Sequence, residues 1–322
     1  MNLFIDTNIF FSFYHFSKDD LGEIHKLTVL IENGEVVLWL PEQVKDEFKR
    51  NRENKINDSM KNLEEQKNKT QFPEICKDYN EYQEMRDLQT EYNKKLSSQI
   101  QKVTEDIEKR TLRADKKILE LFDKAKTIEK TQELIEKARF RMDVRNPPGK
   151  DRSLGDAINW EGLLAEIPIF EKLYIVSNDK DYYSVRDKDK PKDFLIDEWD
   201  RVHNEEVIFY QRLSQFFMKH YPDIKLAPEL EKELDIKSLV NSRSFESTHL
   251  SVLKLEEYAE FNKSQANEMV QVGISNDQIN WILSDHNVYC FYRDLLDNHK
   301  EVIEDELYEK MNEELVKHEP EE

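Results

Sequence analysis

MNLFIDTNIFF, residues 1–11, decides the reading of this chain. Leu3-Phe4-Ile5 is a short, wholly apolar run that suits a strand buried on both faces. Asp6-Thr7-Asn8 ends that run with three polar residues, and an aromatic-rich segment able to begin a helix follows. Working outward, residues 36–40 read as a second strand closed by Pro41, which suits the first turn of the next helix, EQVKDEFKRNRE. Residues 173–176 form a third strand, followed by Ser177-Asn178-Asp179-Lys180-Asp181. Residues 194–196 and 207–210 read as further short strands and 211–220 as a helix. This alternation predicts an α/β fold, a three-layer α/β/α arrangement around a parallel sheet.

Residues 74–146 contain neither Gly nor Pro and are rich in Glu, Lys, Gln and Leu, all good helix formers. Leu96, Ile100, Val103 and Ile107 recur at helical spacing, as do Ile118, Leu121, Ala125 and Ile128, but the phase shifts between the two sets. That shift predicts two antiparallel helices, a long helical insertion over residues 55–140 inside a first domain of residues 1–224. Residues 225–245 read as a polar connector. Residues 264–272, Gly273 and residues 276–283 then read as helix, turn and helix, so residues 225–322 are expected to form an α-helical C-terminal module.

The chain carries 48 basic and 68 acidic side chains, a net charge of −20, and residues 201–322 hold 13 of the former against 26 of the latter. Bulk charge therefore excludes a protein that coats nucleic acid, while a local basic rim beside a cation site remains compatible. With 6 Gly in all, a glycine-rich phosphate loop is not expected, and the 8 His are too scattered to suggest zinc. Cys76 and Cys290 stand far apart, which fits a reducing compartment. No apolar run reaches the ~18–20 residues of a membrane span, and the basic start of a leader peptide is missing. A cytoplasmic protein without membrane association is expected.

Four acids sit at related places. Asp6 follows the first strand, Glu47 lies in the helix after the second, Asp156 opens a helix after Pro147-Pro148-Gly149, and Asp179 follows the third strand. In a parallel sheet the carboxyl ends of the strands open onto one crevice, where such acids converge. Carboxylates gathered there repel one another unless a cation neutralises them, and hard oxygen donors suit Mg²⁺ or Mn²⁺. Taken singly, Asp6 and Asp156 also read as helix caps, Glu47 as a solvated helix residue and Asp179 as a turn residue. Their joint placement is what points to chemistry.

The stretches FIDTNIF, LPEQVKDEFKRN, GDAINWEGLL and YIVSNDKDYY resemble the PIN-domain nucleases in order and, outside the insertion, in spacing. The Pro147-Pro148-Gly149 loop and the segment from Gly155-Asp156 to Trp160-Glu161 look like the bacterial subfamily of large PIN-like proteins. The resemblance covers roughly residues 1–55 and 140–220. It implies that Asp6, Glu47, Asp156 and Asp179 are the catalytic, metal-coordinating acids. It further implies Mg²⁺- or Mn²⁺-dependent cleavage of single-stranded RNA leaving 5′-phosphate and 3′-hydroxyl ends. Asp181 is a reserve metal ligand on this reading, as is Asp151 in the loop before Asp156, and Asn8 and Ser177 brace the acids or meet a phosphate.

Arg139, Arg141, Arg145, Lys150 and Arg152 lead to Asp156, and Lys49, Arg50 and Arg52 follow Glu47. Arg50, Arg145, Lys150 and Arg152 are the expected substrate contacts, because phosphate oxygens need such donors. The insertion is expected to flank the crevice as a lid, a docking arm for a protein partner or a self-association surface. The leading expectation is an endoribonuclease, with a regulated toxin or defence effector compatible. The alternatives are a structure-specific DNA nuclease and a non-catalytic adaptor that binds protein.

Overall fold

A computed structural model describes residues 1–15, 21–67, 71–149, 153–222, 224 and 227–319. The chain forms two compact units, Met1–Asp223 and Ile224–Glu322. In the first, β1 (Asn2–Ile5), α1 (Thr7–Ser12), α2 (Leu21–Glu32), β2 (Val37–Pro41) and α3 (Glu42–Glu65) are followed by α4 (Asn80–Lys109), α5 (Arg113–Lys124) and β3 (Lys126–Ile128). Then come α6 (Gln132–Asp143), α7 (Leu154–Glu166), β4 (Leu173–Val176), α8 (Asp193–His203), β5 (Val207–Tyr210) and α9 (Leu213–His220).

The five strands form one parallel sheet in the order β3-β2-β1-β4-β5. Leu3, Phe4 and Ile5 of β1 are buried, as a central strand covered by helices on both faces requires. The register pairs Phe4 with Trp39 on one side and with Ile175 on the other. After β1 the chain builds outward through β2 and β3, then returns to place β4 on the opposite side. The strand order therefore reverses between β1 and β4, and their carboxyl ends open into the crevice that such a reversal creates.

Two expected elements change type. Residues 194–196 begin α8 instead of forming a strand: Leu195 and Trp199, one helical turn apart, are the buried pair. A three-residue apolar run fits either state, and here the helical partner four residues on decides. The fifth strand is instead β3, inside the stretch expected to be all helix. It is three residues long and exposes Lys126 and Thr127, so neither alternation nor length marks it.

The region read as one insertion accordingly divides. Arg110, in the left-handed region at φ 55°, ends α4. Beyond it, α5 buries Ile118, Leu121 and Phe122, and the Phe122 ring meets Phe10 and Phe48 at 5.0 and 5.4 Å. β3 pairs with β2, and α6 packs on α7. A Cβ at Gly162 would stand 3.0 Å from Ile128 Cγ2, so glycine lets α7 lie close against β3. Residues 113–143 thus belong to the layers of the sheet, and the helical addition is the distal part of α3 with α4.

The second unit is helical: α10 (Ala227–Val240), α11 (Phe245–Leu255), α12 (Lys263–Ser275), α13 (Asp277–Asn280), α14 (His286–His299) and α15 (Asp305–Lys317). The expected polar connector is largely α10, which buries Leu230, Leu234, Ile236 and Leu239. Gly273 lies within α12 and makes no turn. A Cβ there would stand 2.7 Å from the Tyr292 ring, so close packing explains the glycine. Met269, Val270, Leu283, Tyr292, Leu296 and Leu315 anchor this separate core.

Candidate active site

Asp6 stands where β1 gives way to α1, and its backbone N–H donates to Val176 O on β4 at 3.0 Å. It occupies the N-cap position of α1, yet its side chain makes no cap hydrogen bond. The carboxylate turns instead to the crevice, where Oδ2 accepts from Asn8 Nδ2 at 2.7 Å and Ser177 Oγ at 2.6 Å. Ser177 follows β4, and its Oγ also accepts the Asp179 N–H at 3.0 Å. One hydroxyl thus joins the ends of the two central strands.

The other acids are held by neighbours that sequence reading did not single out. Glu47 Oε2, on α3, accepts from Thr7 Oγ1 at 3.3 Å. Asp156, in the first turn of α7, accepts from Ser153 Oγ. Ser/Thr at the start of a helix reads from sequence as a cap, which hides this second use of the hydroxyl. Asp179 Oδ1 accepts the Asp181 N–H at 2.8 Å.

These carboxyl groups act on one another. Burial first, then the Asp156, Glu47 and Asp179 charges, push Asp6 up to about 8 against the relief given by Ser177. Asp156 is pushed up to about 6 by burial and by the Asp179, Glu47 and Asp181 charges, with Ser153 opposing. Glu47 is raised by burial and by Asp179, while Thr7 and Arg50 lower it. The crevice therefore stores carboxylate repulsion.

Asp181 lies to one side of the set. It is buried, its Oδ2 accepts the Gly149 N–H at 3.4 Å, and Lys192 Nζ approaches Oδ1 at 3.7 Å. These contacts tie the loop ahead of Asp156 to the segment after β4. Of the expected substrate contacts, Arg50 and Arg145 are exposed, Arg50 near Glu47 and Arg145 in the turn after α6 at φ 62°. Lys150 and Arg152 lie outside the described residues, as does Asp151.

Arg141, one of the basic residues leading to Asp156, does not face the crevice. It is 3% exposed and forms two hydrogen bonds of 2.8 Å to the Glu198 carboxylate. It also donates to Glu161 and to Pro147 O, each at 2.6 Å, while Trp160 Nε1 donates to Glu198 at 2.7 Å. This buried network joins α6, α7 and α8 and holds Pro147 in place.

Among the described residues, no group of three or more His, Cys, Asp or Glu side chains is placed so that it could hold a metal ion. The donor chemistry nevertheless fits a hard cation. All four candidates are carboxylates, and Asn8 Oδ1, buried beside Asp6, has no hydrogen-bond partner among the described residues. Oxygen acceptors that repel one another or lack donors suit Mg²⁺ or Mn²⁺ better than a softer ion.

Asp6 and Asp179 thus follow the two adjacent strands β1 and β4, where the strand order of the parallel sheet reverses. The profile of the PIN-domain family matches residues 3–182, more than half of the chain. The chain belongs to the PIN-domain family and so carries a nuclease domain. No curated protein and no solved structure matches it. No helix among the described residues is long and apolar enough to cross a membrane.

Proposed function

We propose that this protein is an Mg²⁺- or Mn²⁺-dependent endoribonuclease that hydrolyses phosphodiester bonds of single-stranded RNA, with Asp6, Glu47, Asp156 and Asp179 holding the cation. The observation that carries this reading is the Asp6 carboxylate, braced by Asn8 and Ser177 where β1 and β4 end, with the charges of Asp156, Glu47 and Asp179 acting on it. A scaffold gains nothing from burying acids that repel each other, which argues against a purely adaptor role. A bound Mg²⁺ or Mn²⁺ supplies charge that activates water and stabilises a phosphate undergoing displacement.

The chain's own residues do the rest. Asn8 and Ser177 fix the Asp6 carboxylate, Thr7 orients Glu47 and Ser153 orients Asp156. Arg50 and Arg145 offer exposed guanidinium groups to phosphate oxygens on the approaches to the crevice. Asp181 accepts from Gly149 N–H and pairs with Lys192 ahead of α8, a role that leaves four primary ligands.

Cleavage of end-labelled single-stranded RNA and DNA, with Mn²⁺, Mg²⁺ or EDTA, tests the reading. Metal-dependent RNA cleavage that disappears in the Asp6→Asn/Asp179→Asn double variant is expected. Cleavage of DNA in preference to RNA would replace the substrate, and metal binding without any cleavage would indicate an enzyme restrained by a partner. A toxin or defence role adds a further expectation: growth arrest on expression, relieved by Asp6→Asn.

A further inference from the structure

Tyr182 belongs to the acid crevice although nothing in its position after Asp181 says so. Its side chain is wholly buried, and its hydroxyl has no hydrogen-bond partner among the described residues. The backbone on either side is fixed: its N–H donates to Asp179 O at 3.1 Å, and its carbonyl accepts from Lys192 N at 2.9 Å. The ring packs near Phe4, with centroids 6.1 Å apart. Asp6 follows β1 in extended conformation, two residues after Phe4, so the two lie toward the same face of the sheet.

All four crevice carboxylates act on the phenol, Asp156 the most strongly and Asp6 next. The buried hydroxyl is thus within electrostatic reach of the acids. Packing does not call for it, because phenylalanine would fill the same space without burying an unpaired polar group, a cost that the fold bears. A buried donor left unpaired within electrostatic reach of several carboxylates gains a partner if cation binding rearranges one of them.

We propose that Tyr182 is a positioning residue of the crevice, whose hydroxyl, unpaired in the metal-free chain, donates to Asp156 directly or through one water once a cation is bound and so holds that carboxylate in place. This rests on the metal-dependent reading above. Outer partners of this kind orient ligands, and losing one weakens metal binding by about tenfold or more.

Tyr182→Phe separates this role from packing. In calorimetric Mn²⁺ titrations of the full chain, the variant is expected to need about tenfold more Mn²⁺ for half-saturation than the wild type. Its metal-free melting temperature should equal or exceed that of the wild type, since the unpaired hydroxyl is gone. In the cleavage assay kcat should fall at unchanged KM. An unchanged Mn²⁺ midpoint overturns the proposal whatever the melting temperature does. A wild type that binds no Mn²⁺ overturns the metal reading itself, and this inference with it.

Discussion

Asp6 shows how a single buried carboxyl couples stability to function. Its raised value, about 8 against an ordinary 3.8, means that between these limits the folded, metal-free protein holds a proton that the unfolded chain has released. Stability from this group is fully present below about pH 4 and is lost as pH rises toward 8. Asp156 acts in the same direction over the narrower window up to about 6. The metal-free protein is therefore expected to melt at progressively lower temperature from pH 5 to pH 8, a loss on the order of a few kcal/mol. Asp6→Asn should flatten that slope and melt higher than wild type at pH 8 while abolishing metal-dependent cleavage. Scanning calorimetry across pH in EDTA checks both; a wild-type melting temperature independent of pH would contradict them. Added Mn²⁺ should raise the wild-type melting temperature most at pH 8, where cation and proton no longer compete. In the sequence Asp6 and Asp179 stand out because they follow apolar strands and Asp156 because it opens a helix, whereas Glu47, inside α3, has only its place after the second strand. Arg141 and Arg145 could not be told apart, because both sit in one basic run and only the packed fold turns Arg141 inward.

At the scale of elements, α6, α7 and α8 are held together by charge where an apolar contact would have served. Arg141 is 3% exposed and Glu198 8%, so truncating one partner strands the other in a low-dielectric interior. Arg141→Met is expected to cost about 3–5 kcal/mol in urea unfolding, with loss of the loop geometry at Asp156. A cost below about 1 kcal/mol would mean that solvent reaches Glu198 once its partner is gone. In the helical unit, Gly273→Ala forces a methyl group against the Tyr292 ring and is expected to cost about 1–3 kcal/mol, read from the same measurement. Element type was readable where runs were long or closed by Pro41. It failed at residues 126–128 and 194–196, where three residues cannot show a period. The α10 region looked polar because Glu and Lys alternate with its buried leucines, and only helical spacing sorts the two faces.

The whole molecule divides its labour unevenly. The acid crevice lies entirely within Met1–Asp223, whereas Ile224–Glu322 has a core of its own and contributes most of the −20 net charge. An acidic unit in covalent linkage repels a polyanion at distances up to about a Debye length, roughly 10 Å at 0.1 M salt. Residues 1–223 expressed alone should fold cooperatively, because the sheet and its helices contain the full crevice. Freed of the acidic unit, they should bind a single-stranded oligonucleotide more tightly than the intact chain at low salt. The gap should close as salt screens the repulsion, leaving the two affinities alike near 0.5 M on the order-of-magnitude screening argument. Fluorescence anisotropy of a labelled oligonucleotide, with the Asp6→Asn background preventing cleavage, measures this directly. A gap that persists at high salt would instead show that the helical unit contacts the substrate, since only direct contacts survive screening. Tighter binding by the intact chain at every salt concentration would make that unit part of the substrate-binding surface despite its charge.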